Sequence, residues 1–507
     1  IPLRLVGSEM CIRDRRQVLT AVAIMALSVA VSAKASDALP PNFILVLTDD
    51  QGWSSMSSSM DKRLPDAKSD FHITPALDEI AASGMRFSNA YASSPVCAPS
   101  RYSIQFGKSP ARLLHTRVLG GNKVNHDQKA IPQVLKAIDS RYRAAHLGKW
   151  HIKADPARYA YDVHDGQTGN KEGGFVNDRS QWDGYAEDDP KKMFSLTERA
   201  VEFMTESVTR EAPFFLQISH YALHSNLAYR QTSFEEVSSQ IPGSLHQNLA
   251  YAAMMTDLDE SIGQLFEAYK RLGLEKNTYL IITSDNGGMP VLPQQVNRGR
   301  LYKNGLNTPL LRGKWDLMEG GIRVPFMVVG PDIPTDSQSN EPIIGYDLMA
   351  TLADLAGSTQ QVPKDSDGVS IAPLLTSPDA PIERPPHGLV FHFPHYNQVG
   401  LNEPHSAIRV GNFKLVKFNQ SDRSLLFNVA QDLGEKKDIA KGNRACVDQL
   451  EALLSGYLID VGAEQPKDSS SWVKPGRKGE TRTQFLKRYP ENESDSHAGG
   501  CLSEELI

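Results

Sequence analysis

The chain has 507 residues, of which 40% are hydrophobic and 22% are charged, and its formal net charge is −6. This length predicts one large domain with a smaller one, and the composition argues against a disordered chain. The negative charge argues against a general nucleic-acid-binding protein, which would carry a basic excess. No run of eighteen or more apolar residues is present, so no membrane-spanning helix is predicted.

The N-terminal region has the pattern of an export signal. Basic residues precede an apolar stretch over residues 18–31, and Ala33-Lys34-Ala35 forms an A-x-A cleavage signal. We therefore predict a leader and signal peptide over residues 1–35 and a periplasmic or secreted mature protein without membrane association. A retained membrane anchor is the alternative, which the shortness of the apolar run disfavours. The residues before Met10 fit neither a normal start nor a signal peptide, and we expect them to be an upstream artefact.

The chain contains four cysteines, at positions 11, 97, 446 and 501. Signal cleavage would remove Cys11 and leave an odd number, so one thiol in the exported protein has no partner. If Cys446 pairs with Cys501, that thiol is Cys97. Sequence spacing alone does not establish that the two pairing candidates lie close together.

Predicted strands and helices alternate along the first 380 residues. Continuous apolar runs, typical of strands buried on both faces, occur at 43–47, 213–219, 278–284 and 324–330. Helices are predicted at 75–83, 193–209 and 245–272. This alternation predicts an α/β domain with a large, mainly parallel sheet flanked by helices.

The pattern changes after about residue 380. Short apolar runs predict a small antiparallel sheet with strands at 388–393, 406–410, 413–418 and 425–429, followed by a helix at 446–458. The last residues are mostly polar, which favours a surface segment or partial disorder. We therefore predict a large domain over residues 36–380 and a smaller C-terminal α+β subdomain with a polar tail over residues 381–507.

Acidic and amide side chains follow two of the predicted strands. Asp49 and Asp50 come at the end of the first strand, and Asp285 and Asn286 follow the strand at 278–284. Ligand sites gather at the carboxyl ends of parallel strands, and neighbouring buried carboxylates favour a bound cation. Oxygen ligands suit Ca²⁺ or Mg²⁺ better than Zn²⁺. Either segment alone could be a turn or a helix cap, but the pair favours a metal site.

Four further segments carry candidate catalytic residues. They are Cys97-Ala98-Pro99-Ser100-Arg101, Gly148-Lys149-Trp150-His151, Tyr221-Ala222-Leu223-His224, and Leu311-Arg312-Gly313-Lys314 with Glu319-Gly320-Gly321-Ile322-Arg323-Val324-Pro325. Alone, the first segment also fits a buried or disulfide-bonded cysteine before a helix that begins with proline. Together and in this order, the segments resemble the formylglycine-dependent (type I) sulfatase family of the alkaline phosphatase superfamily. The resemblance covers nearly all of the mature chain.

Two positions depart from the family pattern. Leu223 stands where proline is usual before His224, and one glycine is missing before Lys314. His220 competes with His224 for the same role. Arg323 is expected to be a structural ion-pair partner rather than a catalyst.

The resemblance implies an alkaline-phosphatase-like fold, with the catalytic domain over residues 36–380. It implies that a formylglycine-generating maturation enzyme converts Cys97 into an aldehyde, whose hydrate attacks the sulfur of a sulfate ester. It implies that a Ca²⁺ ion, or Mg²⁺, is bound by Asp49, Asp50, Asp285, Asn286 and the modified Cys97. Arg101 lies about one helical turn after Cys97 and can approach it if this segment is helical.

The resemblance also assigns roles to the basic residues. Arg101, Lys149 and Lys314 neutralise the sulfate. His224, with Lys314, protonates the departing alcohol, and His151 removes a proton from the hydrate to expel sulfate and restore the aldehyde. In an extended segment Lys149 and His151 would point to the same side, although a solvated lysine and a hydrogen-bonded histidine would be ordinary.

A sulfated carbohydrate is the substrate that the resemblance implies for an exported protein of this kind. One alternative is a phosphate or phosphonate monoester hydrolase on the same scaffold, and another is a non-catalytic relative that binds sulfated glycans. The sequence places His392, His395 and Tyr396 either at the rim of the site or in hydrogen-bonded packing, and packing is preferred.

Overall fold

The computed structural model describes residues 39–178, 181–289, 295–296, 300–301, 306–397, 400–401, 403–421, 423–467 and 481–489. The chain divides into two compact units, Ile1–Pro40 and Pro41–Ile507, and all described helices and strands belong to the second. The predicted leader and signal peptide over residues 1–35 lies outside the described residues, as do Cys11, Cys501 and most of the polar tail. None of the described helices is long and apolar enough to span a membrane.

The strands are short, and most of their described residues are buried. They are β1 Asn42–Thr48, β2 Met85–Phe87, β3 Ala90–Tyr91, β4 Arg143–Gly148, β5 Val163–His164, β6 Tyr185–Ala186, β7 Phe214–Ser219, β8 Ala228–Tyr229, β9 Thr278–Ser284, β10 Gln295–Val296, β11 Arg300–Leu301, β12 Phe326–Val329, β13 Ser337–Ser339, β14 Ile343–Ile344, β15 Leu389–Phe393, β16 His405–Val410, β17 Phe413–Phe418 and β18 Ser424–Asn428. The helices are α1 Pro75–Ser83, α2 Cys97–Phe106, α3 Ile131–Ile138, α4 Met193–Thr209, α5 Gln231–Ser238, α6 Leu249–Arg271, α7 Glu319–Ile322, α8 Asp347–Leu355, α9 Ala372–Thr376, α10 Arg444–Asp460 and α11 Arg482–Leu486.

The helices predicted at 75–83 and 193–209 have those bounds. The helix predicted at 245–272 begins at Leu249, because the Asn248 side chain caps it by accepting a hydrogen bond from the N–H of Tyr251.

Eight strands form one sheet in the order β13-β2-β12-β9-β1-β7-β4-β5. Its central strands β9, β1, β7 and β4 run parallel, and β12 runs antiparallel to both of its neighbours. Strands β15 to β18 form the separate antiparallel sheet that the sequence predicts. The mainly parallel α/β sheet with a small C-terminal antiparallel sheet is therefore confirmed.

The apolar run of β1 is continuous because the strand contributes to a core on each side. Ile44 and Val46 belong to one buried cluster, whereas Phe43, Leu45 and Leu47 belong to the cluster on the opposite face. Successive side chains of a strand point to opposite faces, so both faces of β1 are covered.

A buried group of ion pairs links β17 to the segment that begins at α7. Lys414 of β17 lies 2.9 Å from Glu319 Oε1 and 2.8 Å from Glu435 Oε1, and the three side chains are fully buried. Arg323 donates to Glu319 Oε2 at 2.6 Å and to Tyr91 Oη at 3.1 Å. The prediction that Arg323 is a structural ion-pair residue is confirmed.

Candidate active site

The carboxyl ends of neighbouring strands bring the predicted residues together. In the register of the sheet Thr48 of β1 lies beside Ser284 of β9, and Gly148 of β4 lies beside Ser219 of β7. The residues that follow these ends are Asp49, Asp285 and Lys149. They leave the sheet at one edge, where parallel sheets form their ligand sites.

Each of the two adjacent aspartates pairs with a buried lysine. Lys149 Nζ lies 2.5 Å from Asp49 Oδ2, and Lys314 Nζ lies 2.7 Å from Asp50 Oδ1. Burial alone would raise the pKa of Asp49, but Lys149 and the other nearby cations hold it well below its usual range. Lys314 reaches the cluster despite the missing glycine, since its N–H donates to the carbonyl of Gly288 at 2.8 Å and fixes its loop.

Helix α2 presents Cys97 and Arg101 to the same cluster. All ten of its residues are buried, and Gly107, with a φ of +64°, ends it by donating its N–H to Ser103 O. Arg101 Nε donates to Asp285 Oδ2 at 2.7 Å. The predicted helical turn between Cys97 and Arg101 is confirmed.

Cys97 is free and buried, whereas Cys446 of α10 is disulfide-bonded. Cys501, the partner hypothesised for Cys446, lies outside the described residues. Burial raises the pKa of the Cys97 thiol, although Lys149 and Lys314 oppose that effect. Reactive cysteines have lowered pKa values, so the encoded thiol is poorly suited to act as a nucleophile itself.

The acidic cluster has the composition of a site for a hard cation. Asp49, Cys97 and Asp285 offer ligand atoms within 4.8 Å of one another. Asp49 Oδ1 and Asn286 Oδ1 are buried without a hydrogen-bond partner among the described residues, while Asn286 Nδ2 donates to Asp50 Oδ1 at 2.7 Å. Burial and the charge of Asp49 raise the pKa of Asp285 to about 6, although Arg101 and Lys149 oppose that effect. These oxygens fit Ca²⁺ or Mg²⁺.

The two predicted histidines are neutral in the resting site. His224 Nδ1 lies 2.5 Å from the carbonyl of Ser225, and its Nε2 lies 3.8 Å from Asp50 Oδ2. Burial and Lys314 lower the pKa of His224 to about 4, so Nδ1 carries the single proton and donates it to Ser225 O. Burial lowers the pKa of His151 well below its usual value, and its Nδ1 has no hydrogen-bond partner within the described chain.

Thr168 holds the loop that carries Lys149 and His151. The sequence motifs do not include Thr168. Strand β4 ends at Gly148 and His151 has a φ of +58°, so strand alternation does not align the two side chains. Thr168 Oγ1 donates to Gly148 O at 2.5 Å and accepts from the Trp150 N–H at 2.9 Å, and the His151 N–H donates to Thr168 O at 2.8 Å.

Lys191 is a second residue that the motifs miss. It is 3% exposed, and its ammonium group makes no ion pair with any residue that the structure describes. Its charged neighbours include Asp49, Glu187 and Lys149, and burial lowers the pKa of Lys191 to about 8. Lys191 therefore adds a positive charge beside the lysine–aspartate pairs.

The remaining candidates lie away from this cluster. His220 is fully buried at the end of β7, and neither of its ring nitrogens has a hydrogen-bond partner in the described part of the chain. His392 and His395 are buried and hydrogen-bonded through their ring nitrogens, and the Tyr396 hydroxyl contacts Gln420. The preference for packing over a rim position is confirmed for the two histidines.

Comparison with known families gives the site its context. The family model "Sulfatase" matches residues 41–358, which is more than half of the chain, and "N-sulphoglucosamine sulphohydrolase, C-terminal" matches residues 313–460. The chain belongs to the sulfatase family. This family of sulfuric ester hydrolases is the type I sulfatases of the alkaline phosphatase superfamily, as the motifs predict.

Individual sulfatases share about a quarter of their residues with this chain. Arylsulfatase A of Bos taurus is 28% identical over 503 residues, covering 86% of this chain and 92% of that protein. N-acetylgalactosamine-6-sulfatase of Mus musculus is 27% identical over 372 residues, and the match spans 66% of each chain, slightly under two thirds. The crystal structure of Ps i-CgsB, also solved with k-i-k-neocarrahexaose, has a TM-score of 0.66 at 25% identity and covers 88% of this chain and 96% of that one.

Proposed function

We propose that this protein is an exported sulfatase that hydrolyses sulfate esters of a sulfated carbohydrate. A formylglycine made from Cys97 supplies the nucleophile, and Ca²⁺, or Mg²⁺, is held by Asp49, Asp50, Asp285, Asn286 and the modified Cys97. Residues 36–380 form the catalytic domain, and residues 381–507 form the C-terminal subdomain. A formylglycine-generating enzyme is the maturation partner.

The observation that carries this proposal is the ring of buried cations around Cys97. Arg101, Lys149 and Lys314 are each paired with one aspartate of the cluster, so the protein charges there balance. A divalent ion would add two positive charges and lower the pKa of a coordinated hydroxyl group. The site then attracts an anionic ester and stabilises the charge that develops on its leaving oxygen.

The position of Cys97 fits modification rather than use as a thiol. It is 1% exposed and begins a helix that is buried throughout, so the maturation enzyme acts on the chain before it folds. In the folded protein the aldehyde is then enclosed among Arg101, Lys149 and Lys314, away from other nucleophiles.

His224 and His151 take part in different proton transfers of the proposed reaction. His224 Nε2 is the free ring atom, and a bound anionic ester favours protonation there, which lets His224 protonate the departing alcohol. His151 is neutral with an unpartnered Nδ1, which suits it to accept a proton when sulfate is released. Lys314 donates to the same leaving oxygen.

The carbohydrate substrate and the exported location are supported by relatives and by the N-terminus. One relative is an N-acetylgalactosamine-6-sulfatase, and one related structure contains a neocarrahexaose. The export signal predicted over residues 1–35 supports a periplasmic or secreted mature protein. N-terminal sequencing of the secreted protein tests this, because an intact leader on it would contradict export.

The central test is sulfate release by protein in which the Cys97 peptide has the mass of formylglycine. The wild-type protein is assayed on paired sulfate, phosphate and phosphonate monoesters and on a panel of sulfated oligosaccharides. We expect sulfate release, its abolition in Cys97→Ala, and a stalled or blocked reaction in Cys97→Ser, which lacks the second hydroxyl group. Full activity of Cys97→Ala would refute the scheme, and faster phosphonate cleavage would favour the monoester hydrolase.

A further inference from the structure

A cavity of about 380 Å³ lies beside one proposed catalytic residue, His151, and none of the steps above uses the rest of its lining. His151 forms part of its wall, and the charged neighbours of His151 include Lys149, Arg101 and Asp49. A molecule in the cavity therefore lies next to His151. The volume is near the low end of the range of about 300–1,000 Å³ for small-molecule sites, which suits one sugar residue.

The wall of this cavity offers polar atoms that need partners. His115 Nε2 and Asn170 Oδ1 are buried and have no hydrogen-bond partner among the residues described. Burial lowers the pKa of His115 to about 4, so its ring is neutral. Buried polar atoms are normally hydrogen-bonded, and sugar hydroxyl groups can both donate to and accept from such atoms.

Apolar and aromatic groups complete the wall. The rings of Tyr102 and His115 lie 4.5 Å apart, and Leu119 at the cavity is 73% exposed. An apolar surface with a few placed polar groups is typical of a small-molecule site, and it suits the C–H face of a pyranose ring.

Two lysines at this cavity are not paired with a carboxylate of the described residues. Lys153 and Lys171 are exposed, and neither ammonium group makes an ion pair within the described ranges. Among the described residues of the lining Glu172 is the one carboxylate, and its Oε2 accepts a hydrogen bond from the Gly169 N–H at 2.6 Å.

We propose that this cavity binds a sugar residue of the substrate and that Lys153 and Lys171 bind a second anionic group on it, a carboxylate or a second sulfate. This inference rests on the proposed function and deepens it, since it makes the preferred substrate a glycan with more than one negative charge.

The test measures binding, which does not require turnover. Calorimetry on the full chain carrying Cys97→Ala compares a monosulfated disaccharide with the same sugar bearing a second sulfate or a carboxylate. We expect the second anionic group to tighten binding at least about tenfold. The gain should shrink between about 0.1 M and 1 M salt, because the screening length falls from about 10 Å to about 3 Å.

The same comparison in the double variant Lys153→Gln/Lys171→Gln should show no gain from the second group. The matched control is Lys276→Gln, which neutralises an exposed lysine just before β9, at the opposite edge of the sheet. The proposal is overturned if the second anionic group does not tighten binding to the protein that keeps both lysines. It is also overturned if the double variant shows the same gain in affinity. Whichever added group produces the gain identifies the second anion. Absence of sulfate release by matured protein would overturn the proposed function alone, because the binding result stands apart from it.

Discussion

Replacing Lys314 with methionine tests whether the buried cations act on the ester or only hold the fold. The Lys314 ammonium is buried 2.7 Å from Asp50 Oδ1 and is among the charges nearest Cys97. Methionine keeps an unbranched chain and removes the charge. Removing one preorganised group that stabilises transition-state charge typically lowers kcat by about 10²–10³-fold, equivalent to about 2.7–4 kcal/mol, and we expect a loss in this range.

Lys314→Met also removes one partner of a buried ion pair. Such a loss usually destabilises a protein by about 3–5 kcal/mol, because the remaining charge is buried without compensation. Asp50 still accepts a hydrogen bond from Asn286 Nδ2 at 2.7 Å, with His224 Nε2 at 3.8 Å, so the lower end of that range is expected. Activity and stability must therefore be measured separately.

Lys414→Met is the matched control. Lys414 is buried between Glu319 and Glu435, and its charged neighbours belong to the ion-pair group that links β17 to α7. This variant should lose at least as much stability as Lys314→Met and keep the wild-type kcat/KM per folded molecule. The assay is sulfate release from an aryl sulfate well below both melting temperatures, normalised to formylglycine content. Equal activity losses in the two variants, or wild-type activity in Lys314→Met, would refute the reasoning.

Three further predictions concern the charge of Lys191, the pH dependence of stability and the removal of divalent cations. Lys191→Met should lower kcat/KM about tenfold, because it removes a positive charge beside the site. It should leave the melting temperature unchanged or higher, because the removed cation is buried without an ion pair among the described residues. A lower melting temperature with intact activity would contradict this prediction. His405 accepts from the N–H of Leu317 at 3.0 Å and donates to Glu403 O at 2.7 Å, and burial lowers its pKa to about 4. Below pH 6.5 the unfolded chain binds a proton at this histidine that the folded chain does not, so about 2 kcal/mol of the free energy of unfolding is lost from pH 6.5 to 4.5. His405→Gln should reduce that pH dependence in urea titrations. Removing divalent cations should lower activity and melting temperature together, and Ca²⁺ at 100 times its Kd should restore about 2.7 kcal/mol; an unchanged melting curve would count against the metal site.

Local patterns were enough to place the parts of the site that follow strand ends or start a helix. Asp49 and Asp285 come directly after buried strands, and a parallel sheet brings such ends to one edge. The segment from Cys97 to Gly107 is helical because Pro99 is favourable in a first turn and glycine accepts the left-handed conformation that ends it.

Only the tertiary structure shows how the surroundings of His220 and His224 differ. Both lie in one short segment after β7, but His220 is enclosed in the core while His224 faces Asp50. Its free Nε2 follows from a hydrogen bond to Ser225 O, which no spacing rule predicts. The alternation expected for Lys149 and His151 failed because their loop leaves the strand and is held by Thr168.

The sequence by itself determined the order of the elements, the family motifs and the acidic strand ends, because each depends on neighbouring residues. The tertiary structure alone decided which cation meets which carboxylate, as in the pairing of Lys314 with Asp50 across more than 250 positions. It also placed Lys191 beside Asp49 and set Lys153 and Lys171 around one cavity. These outcomes depend on strand register and on loop packing between distant segments, and burial then sets the charge state of each group.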